Sequence, residues 1–385
     1  MSWKRLFSRA LDAAPGRIHM AAHSHHLWPD ASFQGQVEAW EDAAALADHK
    51  WGKVMGSVWT EAQGHVARTL GLPDPQSIVF AGNTHDFIIR LVLALERKPV
   101  RILATDGEFH SFRRQIARWI EDGTVTLDTV AVEPFEDFPA RMIEQAKAGA
   151  YDLIFLSQVF FGSGHVLTNL EPFAALARPE GPWVVVDGYH GFMAVETDLA
   201  PAADRIFYLA GGYKYAMAGE GCAFLHCPPG FGERPPLTGW YAEFADLAAA
   251  PGGGIGYAKD AMRFMGATFD PSALYRVNAV QRMLRDEGIT IAKANAYVRA
   301  LQHRLVDGLP GTKLSAAALI NPLNDRPHAR FLAFRTPGAA RLSAALEARN
   351  IVTDVRGDVL RIGFALYQDQ GDVDALIAAL SHTSC

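Results

Sequence analysis

Lys214 stands in Gly211-Gly212-Tyr213-Lys214-Tyr215, closely followed by Gly219-Glu220-Gly221, at the end of the apolar run Ile206–Ala210. Lysine is rarely buried without a reason. When it is, the desolvated amine loses its charge and becomes a nucleophile for an aldehyde. A second reactive group lies upstream: Asp187 closes another apolar run, Trp183–Asp187, and leads into Gly188-Tyr189-His190. A carboxylate in such a place calls for a buried cation. An amine seeking an aldehyde and a carboxylate seeking a cation are both answered by one cofactor, pyridoxal 5′-phosphate. Its aldehyde forms a Schiff base with lysine, and its ring nitrogen, held protonated, becomes an electron sink.

These groups must be positioned by the elements around them. Short β-rich runs recur at Ser77–Ala81, Arg101–Thr105, Thr126–Val132, Asp152–Val159, Trp183–Asp187, Arg205–Leu209 and Cys222–Cys227. Helical patterns at Thr84–Glu96, Phe112–Trp119 and Asp137–Ala148 alternate with them, which predicts an α/β fold with a mostly parallel sheet covered on both faces. Beyond about residue 270 the pattern changes. Helices near Pro271–Asp286, Ile291–Leu305, Ala339–Arg349 and Asp372–Leu380 mix with strands near His328–Phe334 and Ile351–Phe364, predicting a smaller α+β domain. The expected organisation is an N-terminal segment over 1–60 packing on the small domain and the active-site mouth, a large cofactor-binding domain over 61–270, and a small domain over 271–385.

In open parallel sheets ligands collect beyond the carboxyl ends of the strands. The conspicuous polar residues fall at such ends: Asn83-Thr84-His85, Glu108-Phe109-His110, Gln158, Asp187 with His190, and Lys214. Gly82-Asn83-Thr84-His85, between a strand and an apolar helix, offers the backbone N–H groups that a phosphate needs. Phe109 is placed to cover a cofactor face.

The order of these residues resembles fold-type I pyridoxal-phosphate enzymes of the class V aminotransferase group, and within that group it looks most like kynureninase. The most specific parts are Asp187-Gly188-Tyr189-His190 and Tyr213-Lys214-Tyr215 with its glycine-rich tail, and the resemblance runs from about Ile18 to near the C-terminus. It implies a seven-stranded, mostly parallel sheet and pyridoxal 5′-phosphate held as a covalent aldimine on Lys214. Asp187 becomes the pyridinium partner, His190 a neighbour of the ring oxygen, and Phe109 the stacking ring, with Asn83 and Thr84 in the phosphate turn. Gly266-Ala267-Thr268 resembles a segment reaching the phosphate of a neighbouring subunit, which implies a homodimer with shared active sites. Trp240 matches a Gly-Trp segment at the cofactor and substrate site. Arg361, in Leu360-Arg361-Ile362-Gly363, matches an arginine clamping the substrate α-carboxylate, a role suited to a forked guanidinium. Tyr213 joins His190 as a proton-handling or orienting group. The family's Asn-Ser segment near substrate appears here as His23-Ser24, and its Phe-Pro-x-Asp as Phe109-His110-Ser111-Phe112.

The implied activity is hydrolytic Cβ–Cγ cleavage of an L-kynurenine-type amino acid to an aromatic acid and alanine. Transamination shares the first steps and stays open as the alternative. A non-catalytic pyridoxal-phosphate-binding regulator is a third reading, but such proteins add a DNA-binding segment and no basic helix-turn-helix pattern precedes residue 60.

Bulk properties narrow the field. The chain has 385 residues, 49% hydrophobic and 20% charged, as expected of a globular enzyme acting on a small molecule. A net charge of −6 supplies no basic field for nucleic acid or an anionic membrane. Three cysteines make no disulfide framework, and neither a signal peptide nor a membrane span is visible, so a cytoplasmic location is expected. His19, His23, His25 and His26 do not share a helical face, which argues against a metal site. Gly252–Gly256 lacks the preceding strand of a dinucleotide loop. Cys385, the sole late cysteine, is terminal, which argues against a desulfurase.

Overall fold

The computed structural model describes residues 2–246, 254–324 and 326–382. Cys385 and most of the expected loop Ala248–Gly254 lie outside the described residues. Seven strands form the central sheet: β2 (Ile78–Ala81), β3 (Val100–Thr105), β4 (Val125–Val130), β5 (Leu153–Ser157), β6 (Trp183–Asp187), β7 (Ile206–Gly211) and β8 (Ala223–His226). Their spatial order is β2-β8-β7-β6-β5-β3-β4. Only β8 runs against its neighbours; the other pairings are parallel. The sheet is therefore the mostly parallel one expected. Its inner strands are apolar on both faces because helices cover both sides, and β5 and β7 are buried at every position. At the edge, β4 exposes Thr126, Asp128 and Thr129, as a strand half in water must.

The register sets the chemistry. Ser157 pairs with Asp187, and Asp187 with Leu209, so the carboxyl ends of β5, β6 and β7 finish side by side. Lys214 follows three residues after β7 ends at Gly211.

The second sheet has the order β12-β13-β10-β9, from β9 (Ala318–Leu319), β10 (Phe331–Arg335), β12 (Asp354–Arg356) and β13 (Val359–Gly363). In its antiparallel ladder Arg361 stands opposite Asp354 on one side and Ala333 on the other. The N-terminal stretch joins this part of the chain: β1 (Ile18–His19) pairs in parallel with β11 (Ile351–Val352), and Ala21 bridges to Gly363.

Two principal apolar cores result. The larger fills the central sheet and its covering helices, and the smaller gathers Val298, Leu332, Leu342, Leu360 and Leu376. Helix Ser272–Asp286, placed by sequence at the start of the small domain, buries Leu274, Val277, Val280 and Leu284 in the larger core. The larger core also takes in Ile289, Ala294, Ala365, Leu366 and Tyr367 from later in the chain. The partner of helix Ser272–Asp286 is helix Asp30–Leu46, whose buried Gly35 lets the two backbones approach closely. A Cβ at Gly35 would lie 2.6 Å from the Tyr275 carbonyl oxygen.

Gly35→Ala is expected to force these helices apart and cost about 1–3 kcal/mol of stability. A chemical-denaturation midpoint equal to wild type would show that the crossing tolerates the methyl group.

Candidate active site

A cavity of about 1440 Å3 opens at the carboxyl ends of the central strands. Lys214, Asp187, His190, Tyr213, Phe109, Asn83 and Thr84 all line it. These seven residues come from four separate segments of sequence, 83–84, 109, 187–190 and 213–214, and the parallel register is what gathers them.

The lysine is only 4% exposed. Its Nζ lies 2.6 Å from His190 Nε2 and is ringed by aromatic faces, with centroids at 5.0 Å for Tyr189 and 5.6 Å for both Phe109 and Tyr213. Burial pushes the amine down to about 7, against the pull of the Asp187 charge. Burial likewise raises Asp187, opposed by the Tyr189 N–H and by Lys214. That N–H donates to Asp187 Oδ1 at 2.9 Å, fixing the carboxylate in a turn. Burial, then the charges of Lys214 and Arg361, hold His190 well below the ordinary histidine range, so its ring is neutral.

Backbone geometry explains the glycines around the lysine. Gly219 has φ +72°, and a Cβ there would strike the Trp28 ring. The loop closes on itself through Met217 N–H to the Lys214 carbonyl at 2.9 Å and Ala218 N–H to the Gly212 carbonyl at 2.9 Å. Arg276, from helix Ser272–Asp286, ties it down from behind. Its Nε donates to the Ala218 carbonyl at 2.7 Å, its Nη2 to the Glu220 carbonyl and its Nη1 to Gln36 Oε1. Sequence reasoning missed Arg276, and nothing local to it announces this role.

The Gly82–His85 turn opens a helix on the cavity wall. Asn83 is extended, and its Oδ1 accepts the Asp86 N–H at 3.0 Å, capping helix Thr84–Ala94. The first N–H groups of such a helix have no partner within it. Two buried imidazole atoms on the cavity wall, His85 Nδ1 and His190 Nδ1, also lack a hydrogen-bond partner. Unsatisfied donors at a helix start, an amine whose charge burial disfavours and a deep carboxylate in one cavity fit pyridoxal 5′-phosphate.

Other expected residues lie off the cavity wall. His23 is wholly buried and stacked on Phe331, with centroids 4.6 Å apart. It does not line the cavity, where a substrate contact was expected, but faces Asp354, its Nε2 3.5 Å from Oδ2. Ser24 is half-buried in the adjoining turn, its N–H donating to the Ala21 carbonyl. Arg361 is 2% exposed and already engaged: Nη2 pairs with Asp354 and Nη1 donates to the Phe161 carbonyl. Burial works to raise Asp354, but His23 and Arg361 prevail and hold its carboxyl far below the usual range. Trp240 and Thr268 are joined by an Nε1–Oγ1 hydrogen bond of 3.3 Å, and neither lines the cavity of its own chain.

Behind the wall sits Glu108, wholly buried, accepting from Thr105 Oγ1 and Ser157 Oγ at 2.6 Å each. Burial pushes its carboxyl up to about 8, against those hydrogen bonds. Its place at a strand end was legible in the sequence, but its two hydroxyl partners were not. Cys222 and Cys227 are buried, their thiols pushed by burial up to about 12, and neither lines the cavity.

Comparison with known proteins agrees with this geometry. The aminotransferase class-V family model matches residues 32–376. Isopenicillin N epimerase from Streptomyces clavuligerus is 29% identical over 217 residues, 54% of this chain and 53% of the relative. The match thus spans about half the length of that curated relative. The fold is similar to the cysteine desulfurase of Thermococcus onnurineus NA1, with TM-score 0.80 and 19% identity, over 99% of this chain and 98% of the other. A C-DES mutant with glycine covalently linked to the PLP cofactor gives TM-score 0.79 and 16% identity, over 98% and 99% of the two chains. With the lysine, the deep carboxylate and the Asn83-capped helix start in one cavity, this chain belongs to the aminotransferase class-V family of pyridoxal 5′-phosphate-dependent enzymes.

Proposed function

We propose that Lys214 carries the cofactor and that the enzyme hydrolyses the Cβ–Cγ bond of an α-amino acid bearing an aryl ketone side chain, a reaction of the kynureninase type. The observation that carries this reading is the aromatic cluster beside the lysine. Phe109 meets Phe161 edge to face at 5.4 Å, and His110 lies 5.2 Å from Phe161. A flat aromatic side chain suits such walls. The buried cysteines, with thiols held neutral, supply no persulfide chemistry at this wall.

Asn83 and the N–H groups opening helix Thr84–Ala94 would hold the cofactor phosphate, Asp187 its ring nitrogen and Phe109 its face. Bound there, pyridoxal 5′-phosphate supplies an aldehyde for the amine and a ring that delocalises the electron pair left at the substrate Cα. The Lys214 amine, its charge disfavoured by burial, takes the Cα proton in its neutral form. His190, neutral and 2.6 Å away, orients that amine without competing for its charge. Arg361, one layer behind the wall and bonded to the carbonyl of the wall residue Phe161, would receive the substrate carboxylate in exchange for that carbonyl. Water adds across Cβ–Cγ, giving an aryl carboxylic acid and alanine. Transamination asks the same of these residues and is separated only by product.

Two copies are proposed to complete each site, with Thr268 reaching the partner's phosphate turn and exposed Trp240 at the contact. Light scattering should return twice the chain mass, and a monomeric mass in the active preparation would exclude shared sites.

Borohydride reduction of the loaded protein should fix the cofactor mass on the peptide containing Lys214, and Lys214→Ala should retain no visible absorbance after desalting. Capture of pyridoxal 5′-phosphate by the apoprotein needs the neutral amine. Its rate should therefore rise about tenfold per pH unit up to about 7 and level off above. Modification of another lysine, or a flat profile between pH 5 and 9, would displace Lys214 from this role.

Incubation with L-kynurenine and 3-hydroxykynurenine should release the matching anthranilate and alanine in equal amounts. Accumulation of pyridoxamine phosphate and keto acid without C–C cleavage would instead establish the aminotransferase.

A further inference from the structure

A second cavity, of about 270 Å3, shares no wall residue with the Lys214 cavity. Helix Ile291–Asp307, the approach to β10 and the stretch Ala194–Glu196 enclose it. Arg330 is among its lining residues and is only 5% exposed. Its Nε donates to Asn295 Oδ1 at 2.8 Å, and its guanidinium lies 5.4 Å from the centre of the Tyr215 ring. Nη2 is buried without a hydrogen-bond partner, and among the described residues no carboxylate pairs with this arginine. A guanidinium taken from water without a counter-charge is strongly disfavoured unless something neutralises it.

The rest of the wall points to what does. Arg326 stands exposed at the rim, and Arg299 is held toward it by donating to the Asn324 and Arg326 carbonyls, each at 3.1 Å. Gln302 directs its amide to the Ala329 carbonyl at 2.9 Å. Glu196 is the one wall carboxylate among the described residues, and it is exposed. We infer that this cavity is a binding site for a small oxyanion, of phosphate or short carboxylate size, with the Arg330 guanidinium as its counter-charge. The volume admits such a group and is below that of a site for a drug-sized ligand. The planar fork of arginine suits two oxygens of either chemistry. Because the walls come from elements of both main cores, the bound anion links them.

The test uses the holoenzyme, whose cofactor fills the phosphate turn, titrated with sodium phosphate, sulfate or acetate at ionic strength held constant with sodium chloride. Above saturation, phosphate should raise the melting temperature by about 1–2 °C per tenfold in concentration. The order of phosphate, sulfate and acetate tells a phosphate preference from a carboxylate one. Arg330→Met should abolish the response, while Arg361→Met keeps it. Should Arg330→Met fail to fold, Arg326→Gln at the rim should still weaken phosphate binding severalfold by calorimetry. The proposal is overturned if no oxyanion exceeds chloride, if Arg330→Met or Arg326→Gln responds like wild type, or if only Arg361→Met loses the effect.

Discussion

Desolvation of a single amine is the constraint from which the rest of this structure follows. A lysine buried to this degree cannot keep its proton cheaply, and burial brings Lys214 to about 7. Everything around it either tolerates or uses that fact. The rings of Phe109, Tyr189 and Tyr213 exclude water, His190 stays neutral beside the amine, and Asp187 supplies the opposing charge at one remove. Holding the amine there requires a loop that turns sharply after β7, and Arg276 bonds two of that loop's carbonyls from the far side. The N-terminal segment belongs to the same arrangement, since Trp28 lies against Gly219 and Gln36 takes the remaining edge of Arg276.

Much of the fold was legible because inner parallel strands must be apolar on both faces. The runs ending at Ala81, Thr105 and Asp187 are strands ending at those residues. Polar residues interrupting the ends of such runs marked the cavity, since that is where a parallel sheet frees side chains from packing. Less legible was anything decided by pairing across the chain. Nothing in the sequence around His23 says that its ring will lie flat on Phe331, and its neighbour Ser24 looks equally available to a ligand. Helix Ser272–Asp286 reads as the start of a new domain because the strand–helix alternation stops there, whereas its contacts belong to the earlier core.

The small sheet contributes through one cross-strand pair. β12 and β13 place Asp354 opposite Arg361, and the side chains meet in the ladder's own register. Local pairing of this kind holds a long cationic side chain in a single orientation, which a free arginine at a cavity edge would not keep.

That pair is also one member short of a complete row. Asp354 is shared between Arg361 and Arg356, whose Nη1 lies 2.9 Å from Oδ1, while His23 beside them is neutral. Two cations and one anion leave a positive charge unmatched. A carboxylate reaching Arg361, the role proposed for the substrate, would extend the alternation of charge by one, and Asp354 would stay moored to Arg356.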